Sequence, residues 1–61
     1  MTTSEFIRYI KKQGVRFHYH GKKHDTYINP ANGQTTEVPR HAAKEIGTGL
    51  KNSMLKDLGL K

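Results

Sequence analysis

Histidine and lysine are the side chains of this sequence best suited to reactive chemistry. His24 follows the run Gly21-Lys22-Lys23. Neutral imidazole accepts a proton near pH 7 and can return it later, so His24 could act as a general base. The two lysines beside it could stabilise negative charge that develops on a phosphoryl group. A histidine in a polar turn is most often an ordinary surface residue, so this spacing alone leaves the role of His24 open.

A second pair of histidines, His18 and His20, is separated by one residue. Residues two apart in a strand point to the same face, so we expect both imidazoles on one face, which also approaches His24. Such a face could bind Zn²⁺, Cu²⁺ or Ni²⁺. No carboxylate clearly completes a metal site and the chain has no cysteine, so we predict no metal and no other cofactor. Contact with RNA or with solvent is the preferred interpretation of the pair.

The charge of the chain indicates what kind of partner these residues meet. Eleven Lys and Arg against five acidic residues give a formal charge of +6 within 61 residues. So large an excess attracts polyanions, which favours a nucleic acid over an acidic protein or an anionic membrane. No apolar run approaches the roughly 18–20 residues of a membrane span, and no signal-peptide core opens the sequence. The composition therefore predicts a soluble, cytoplasmic protein with no membrane association.

Helices are predicted at the two ends of the chain. Thr2 and Glu5 have the spacing of a capping box, which predicts a helix over residues 3–13 ended by Gly14. Thr48 is predicted to cap a last helix, whose apolar face consists of Leu50, Met54, Leu55 and Leu58. The Gly59-Leu60 step that follows is typical of a Schellman ending. Residues 42–46 are expected to form at most one helical turn.

Three strands are predicted between the helices. Val15, Phe17 and Tyr19 alternate with polar residues, as in a half-buried strand that ends at His20. A basic turn over residues 21–23 leads to a second strand at 25–29. The Asn29-Pro30-Ala31-Asn32-Gly33 run is typical of a chain reversal, and a third strand at 34–38 is ended by Pro39. We expect an α+β two-layer sandwich of order α-β-β-β-α, which is also the order of the double-stranded-RNA-binding fold.

Several short motifs occur along the chain in an order typical of one known family. They are Ser4-Glu5-Phe6-Ile7, Gly14, Gly21-Lys22-Lys23-His24, Asn29-Pro30, Gly33, Val38-Pro39-Arg40-His41, Gly49-Leu50, Leu55-Lys56 and Leu58-Gly59-Leu60. With these residues the chain resembles the HicA family of toxin–antitoxin toxins along nearly its whole length, so that residues 1–61 form a single HicA-like domain. Many members of that family have a Gly-Ser-His turn, whereas two lysines separate Gly21 from His24 here.

The resemblance implies a metal-independent endoribonuclease that cleaves mRNA and is inhibited by an acidic HicB-type antitoxin. His24 aligns with the family's catalytic histidine by its place at the start of the second strand, and we predict that it is the general base. The residues predicted to contact RNA are Lys22, Lys23, Arg16, His20 and Arg40. The general acid stays open between Lys23, Tyr27, His20 and water. Tyr9 and Tyr19 could stack on bases, but packing over the edge of the core is the preferred interpretation.

Two other functions fit the same residues. The chain could be a non-catalytic RNA-binding module, in which the basic surface binds RNA and the histidine is incidental. It could also be an adaptor that binds only proteins. Incubating RNA with the pure protein separates the three, since the RNA would be cleaved, bound intact or ignored.

Overall fold

The predicted order of elements is confirmed in the computed structural model, which describes residues 1–41 and 43–60. The elements are α1 (Thr3–Lys12), β1 (Arg16–His20), β2 (His24–Asn29), β3 (Gln34–Pro39) and α2 (Thr48–Asp57). The strands form an antiparallel sheet in the order β1-β2-β3. Within the two described ranges, no helix is both long enough and apolar enough to cross a membrane.

The core lies between the helices and one face of the sheet. Both helices and all but the first strand contribute to a buried cluster, which consists of Phe6, Ile10, Val15, Tyr27, Val38, Ile46, Met54, Leu55 and Leu58. This confirms the two-layer arrangement and most of the predicted apolar faces. Two expectations are wrong: Leu50, expected on the apolar face of the last helix, is exposed, and the first strand, predicted to be half-buried, has all five of its residues exposed.

The ends of α1 follow the predicted local chemistry. The hydroxyl of Thr2 accepts a hydrogen bond from the Glu5 amide at 3.2 Å, and the Glu5 carboxylate accepts one from the Thr2 amide at 2.8 Å. The capping box is therefore present as predicted. Gly14 has a φ of 96°, the left-handed conformation that a glycine adopts without steric cost, and the chain turns from α1 into the sheet at this residue.

The C-terminal helix also ends as predicted, but it begins one residue early. The Leu60 amide donates to the Leu55 carbonyl at 2.9 Å and the Gly59 amide to the Lys56 carbonyl at 3.0 Å, which is the Schellman pattern. At the other end the N-cap is Gly47, which supplies no side-chain bond. Thr48 is instead the first helical residue, so its predicted capping role is wrong.

The segment before α2 is extended rather than helical. Of the predicted helical turn over residues 42–46, Ala42 lies outside the described residues. The Lys44 amide donates to the His41 carbonyl at 3.1 Å in one tight turn, and Glu45 then forms an antiparallel bridge with Thr2. The segment therefore joins the N-terminus to the start of α2 as a short bridge.

A β-bulge in β1 separates residues that were expected to share a face. Phe17 lies opposite Tyr27, but Tyr19 lies opposite Thr26, so His18 is an extra residue on its strand. Phe17 consequently stays on the helix side, where its ring contacts Tyr27 edge-on with centroids 5.7 Å apart. Tyr19 is turned to the other side of the sheet. The regular alternation predicted for this strand is therefore wrong beyond Phe17.

The sheet face turned away from the helices is called the outer face below. Tyr27 and Val38 point into the core, so their neighbours along each strand point outward, since successive side chains alternate. By this alternation and the strand register, the outer face carries Arg16, Tyr19, His24, Thr26, Ile28, Thr35, Glu37 and Pro39.

Candidate active site

His24 is the first residue of β2, at the end of the sheet where the turn from β1 closes. It lies on the outer face opposite Pro39 of β3, and its side chain is exposed. The Gly21 amide donates to the His24 carbonyl at 2.8 Å and so extends the β1–β2 ladder by one pair. The His24 backbone is therefore paired at the rim of the sheet, while its side chain is open to a large ligand.

Gly21 allows the backbone to close tightly against His24. A β-carbon built at Gly21 would lie 2.7 Å from the His24 carbonyl oxygen, closer than real side chains approach. The atom in the way belongs to the backbone, so no rotation of a side chain could relieve the contact. The turn consequently requires glycine at this position, for close approach rather than for an unusual φ.

Basic side chains from three segments meet around His24. The hollow beside the imidazole is lined by Lys22, Lys23, His24, Pro39, Arg40, His41 and Lys44. The five basic residues of this lining are called the basic cluster below: Lys22, Lys23, Arg40, His41 and Lys44. Fixed positive charge next to an exposed imidazole suits an anionic ligand such as a phosphodiester. The sheet thus brings together three of the residues predicted to bind RNA, namely Lys22, Lys23 and Arg40, with the predicted catalytic histidine.

Asp25 anchors the turn from the opposite side of the sheet. Its Oδ1 lies 2.8 Å from His20 Nδ1 and accepts a hydrogen bond from Arg40 Nε at 3.2 Å. Arg40 Nη2 also donates to the Gly21 carbonyl. This set of contacts, called the Asp25 clamp below, ties together the end of β1, the turn and the residue after β3. Because the clamp holds the residues on both sides of the turn, it also fixes the position of the His24 backbone.

The clamp changes the acidity of Asp25. The hydrogen bond with His20 lowers the pKa of Asp25 most, and the positive charges of His20 and Arg40 lower it further, while partial burial opposes them. Asp25 is therefore ionised over a wider pH range in the folded chain than in the unfolded one, and its contacts with His20 and Arg40 are charge-assisted.

Two of the predicted RNA-binding residues lie outside the basic cluster. His20 is on the helix side of the sheet, bonded to Asp25, although most of its ring is exposed. Arg16 is on the outer face but lies opposite Ile28, four residues along β2 from His24. At about 3.3 Å per residue, the two positions are separated by about 13 Å. Contact of either residue with RNA stays a prediction.

The expected pairing of His18 and His20 on one face is wrong. The bulge places His18 at the irregular position, with its ring centroid 5.0 Å from that of Tyr19. His20 points to the helix side, where its ring lies 4.8 Å from that of Phe17. Across residues 1–41 and 43–60, no three His, Cys, Asp or Glu side chains are grouped so that they could hold a metal ion.

The structure narrows the choice of general acid. Tyr27 is buried among core residues, and its pKa is raised first by burial and then by the charge of Asp25. It points to the helix side, as does His20, so neither shares the outer face with His24. Lys23 lines the same hollow as His24. Of the side chains predicted as general acid, Lys23 is the one that lines the hollow beside the imidazole.

Three side chains lie near His24 that sequence reasoning did not place there. Lys44 belongs to the basic cluster, while Tyr19 and Glu37 line a groove with His24 that extends from the outer face across β3 to residues of α2. Lys44 lies in a segment without hydrophobic periodicity, so nothing in the sequence indicated where it would lie. The position of Tyr19 depends on the bulge. Glu37 could have been assigned to the outer face from its alternation with Val38 and Thr36.

Comparisons with known proteins agree on one family. The model of the HicA toxin of bacterial toxin–antitoxin systems matches residues 3–60. The chain is 46% identical over 61 residues to a protein of Pseudomonas fluorescens named "Probable mRNA interferase HicA", covering all of this chain and 98% of that protein. It is 41% identical to "Probable mRNA interferase HicA 2" of Photorhabdus laumondii, with full coverage of both.

A solved structure shows the same fold. A chain from the crystal structure of the E. coli HicAB toxin–antitoxin complex superposes with a TM-score of 0.83 at 36% identity, covering 97% of this chain and 98% of that one. The predicted fold class, an α+β sandwich similar to the double-stranded-RNA-binding domain, is therefore confirmed by an experimental relative as well as by the element order.

Proposed function

Because this chain belongs to the HicA toxin family, matched over residues 3–60, we propose that it is an endoribonuclease that cleaves mRNA as the toxin of a toxin–antitoxin pair. The observation that carries the proposal is the exposed His24 imidazole beside the basic cluster, in a chain similar over its whole length to proteins named mRNA interferases. A base beside fixed cations is an arrangement suited to cleavage of an RNA phosphodiester.

In the proposed reaction the RNA supplies its own nucleophile. His24 removes the proton of a 2′-hydroxyl, and the resulting oxygen attacks the adjacent phosphorus in line with the departing 5′-oxygen. The bond from phosphorus to the 2′-oxygen forms as the bond to the 5′-oxygen breaks. The leaving oxygen takes its proton from Lys23 or from water, so the products are a 2′,3′-cyclic phosphate and a 5′-hydroxyl.

Lys22 and Lys23 stabilise the charge that accumulates on the non-bridging phosphoryl oxygens. Lys44 extends the same positive surface and holds a neighbouring phosphate, while Arg40 fixes the turn through Asp25 and adds its charge to the field. Arg16 is far enough away to meet a phosphate of a more distant nucleotide. The chemistry needs a base, an acid and positive charge, all of which protein side chains or water can supply, so we propose that it is independent of metal ions.

A HicB-type antitoxin is the proposed protein partner. The E. coli relative was crystallised in a HicAB toxin–antitoxin complex. An acidic antitoxin that covers His24 and the basic cluster would block RNA at the site of reaction and neutralise the excess charge of the chain. We place the pair in the cytoplasm, where its mRNA substrate is found.

The direct test is incubation of the purified chain with unstructured RNA in excess EDTA. We expect cleavage that leaves cyclic-phosphate ends, while a DNA strand of the same sequence stays intact because it lacks the 2′-hydroxyl. Activity that disappears in chelator and returns with Mg²⁺ or Zn²⁺ would contradict metal independence. RNA that is bound but never cut would instead support a non-catalytic binding module, and RNA that is ignored would support a protein-binding adaptor.

A further inference from the structure

We propose that Tyr19 is a stacking site for a nucleobase of unpaired RNA, next to His24 on the outer face. The proposal rests on the proposed function and deepens it, because it states how the strand is held and which form of RNA can enter. No residue predicted to bind RNA from the sequence supplies an aromatic surface as large as a tyrosine ring. The evidence lies in the bulge, in the exposure of the ring and in the charge around it.

The bulge places Tyr19 where it can meet the substrate. In a regular strand Tyr19 would share the helix side of the sheet with Phe17, because residues two apart point to the same face. The register instead shifts between Phe17 and Tyr19, and Tyr19 lies opposite Thr26 on the outer face. Bulges often occur beside active sites, where they redirect a side chain. Here the irregularity brings an aromatic ring to the face that carries His24.

Tyr19 is open to a ligand and close to the proposed reaction centre. Its side chain is 54% exposed, and it lines the same groove as His24. His24 is two residues before Thr26, so it is the diagonal cross-strand neighbour of Tyr19, at about 7–8 Å. The His18 ring, with its centroid 5.0 Å from that of Tyr19, supports the tyrosine from one side. A base on Tyr19 would thus belong to a nucleotide next to the cleaved bond.

Charge on the outer face orients an RNA strand at this ring. Lys22 and Lys23 lie at the turn beside His24, whereas Glu37 lines the groove on the β3 side. Phosphates are therefore attracted toward the turn and repelled from β3, which leaves the base toward Tyr19. In a duplex the faces of the bases are already stacked, so only an unpaired base can use the ring.

Binding without cleavage tests the site. The probe is a short unstructured RNA carrying 2′-O-methyl groups throughout, so its affinity does not depend on whether His24 is catalytic. We expect Tyr19→Ala to weaken binding by roughly 5- to 100-fold, the range measured for loss of one base–aromatic stack. Tyr19→Phe keeps the ring and should bind as the wild type does. Tyr9→Ala, which removes a tyrosine of α1 that is 41% exposed, is the matched control and should have no effect.

An abasic position in the probe identifies the stacked base. At one position, removal of the base should weaken wild-type binding as much as Tyr19→Ala does, with no further loss when the two changes are combined. Wild-type affinity in Tyr19→Ala would overturn the proposal. Equal losses in Tyr19→Phe and Tyr19→Ala would also overturn it, because they would assign the effect to the hydroxyl group.

A fluorescent variant gives a second measurement that does not depend on the alanine variant folding. The chain has no tryptophan, so Tyr19→Trp introduces a single indole at the proposed site. Stacking of a base should quench its fluorescence on addition of the unstructured probe, and a pre-formed duplex of the same probe should not. Fluorescence that is unchanged by the unpaired probe, or that responds equally to the duplex, would contradict the proposal.

Discussion

Replacing Gly21 with alanine should impair cleavage while leaving the chain folded. The new β-carbon would lie 2.7 Å from the His24 carbonyl oxygen and must retreat by about 0.7 Å to reach an ordinary contact of 3.4 Å. That carbonyl also accepts a hydrogen bond from the Gly21 amide at 2.8 Å. The movement therefore stretches this hydrogen bond, which is the last one between β1 and β2. Loss of such a hydrogen bond costs about 1 kcal/mol, and a misplacement near 1 Å can cost 10²-fold in rate.

We therefore expect Gly21→Ala to lower kcat/KM for RNA cleavage by roughly 10- to 100-fold, with only about 1 kcal/mol lost from the free energy of unfolding. Cleavage kinetics and urea denaturation measure the two effects separately. Gly49→Ala is the matched control: a β-carbon there meets nothing within 4 Å, and the change should alter the free energy of unfolding by less than about 0.5 kcal/mol. A Gly21→Ala variant that cleaves at the wild-type rate would refute the idea that this close approach positions His24.

Three further outcomes follow from the same structure. Replacing Lys22 and Lys23 by Gln should make the salt dependence of RNA binding shallower, by about 0.7 in the logarithmic slope for each phosphate that is no longer neutralised, and an unchanged slope would place the RNA elsewhere. Because folding lowers the pKa of Asp25 below its ordinary 3.8, the stability that it contributes is complete above about pH 4 and is lost as the pH falls through the folded value. Urea midpoints should therefore fall more steeply with acid in the wild type than in Asp25→Asn, and parallel curves would contradict a charged clamp. Leu58→Ala removes a fully buried core side chain and should cost about 2–5 kcal/mol by urea denaturation; a loss near zero would mean that the core is packed differently.

The features that were predicted correctly depend on residues close together in the chain. The Thr2–Glu5 capping box, the left-handed Gly14 and the Gly59 ending each need only the chemistry of one helical turn. The strand order could be predicted because alternating residues indicate where the strands lie, and the Asn29–Gly33 reversal indicates that the second and third strands are neighbours. His24 was identified from its place after the basic turn together with the resemblance to the HicA family, and its catalytic role stays a prediction.

The features that were missed depend on register. An alternating pattern assumes that each residue of a strand pairs with one residue of its neighbour, so it could not reveal the extra residue at His18. The faces of Tyr19 and His20 were therefore misassigned. The Asp25 clamp joins residues 5 and 15 positions away along the chain, which meet only once the sheet has formed. Leu50 lies in the first turn of α2 and Lys44 lies before it. The spacing of apolar residues does not show which side chains are buried in this part of the chain.

The cleavage rate of His24→Ala tests the central claim most directly. The substitution removes an exposed imidazole, so melting temperature and circular dichroism should be preserved, and RNA should still bind through the basic cluster. Cleavage should fall by about 10²–10⁴-fold, the usual contribution of a positioned acid–base group. Tyr9→Ala, which removes an exposed side chain of α1, is the control and should retain nearly full cleavage activity. A folded His24→Ala chain that cuts RNA as fast as the wild type would contradict the assignment of His24 as the catalytic base.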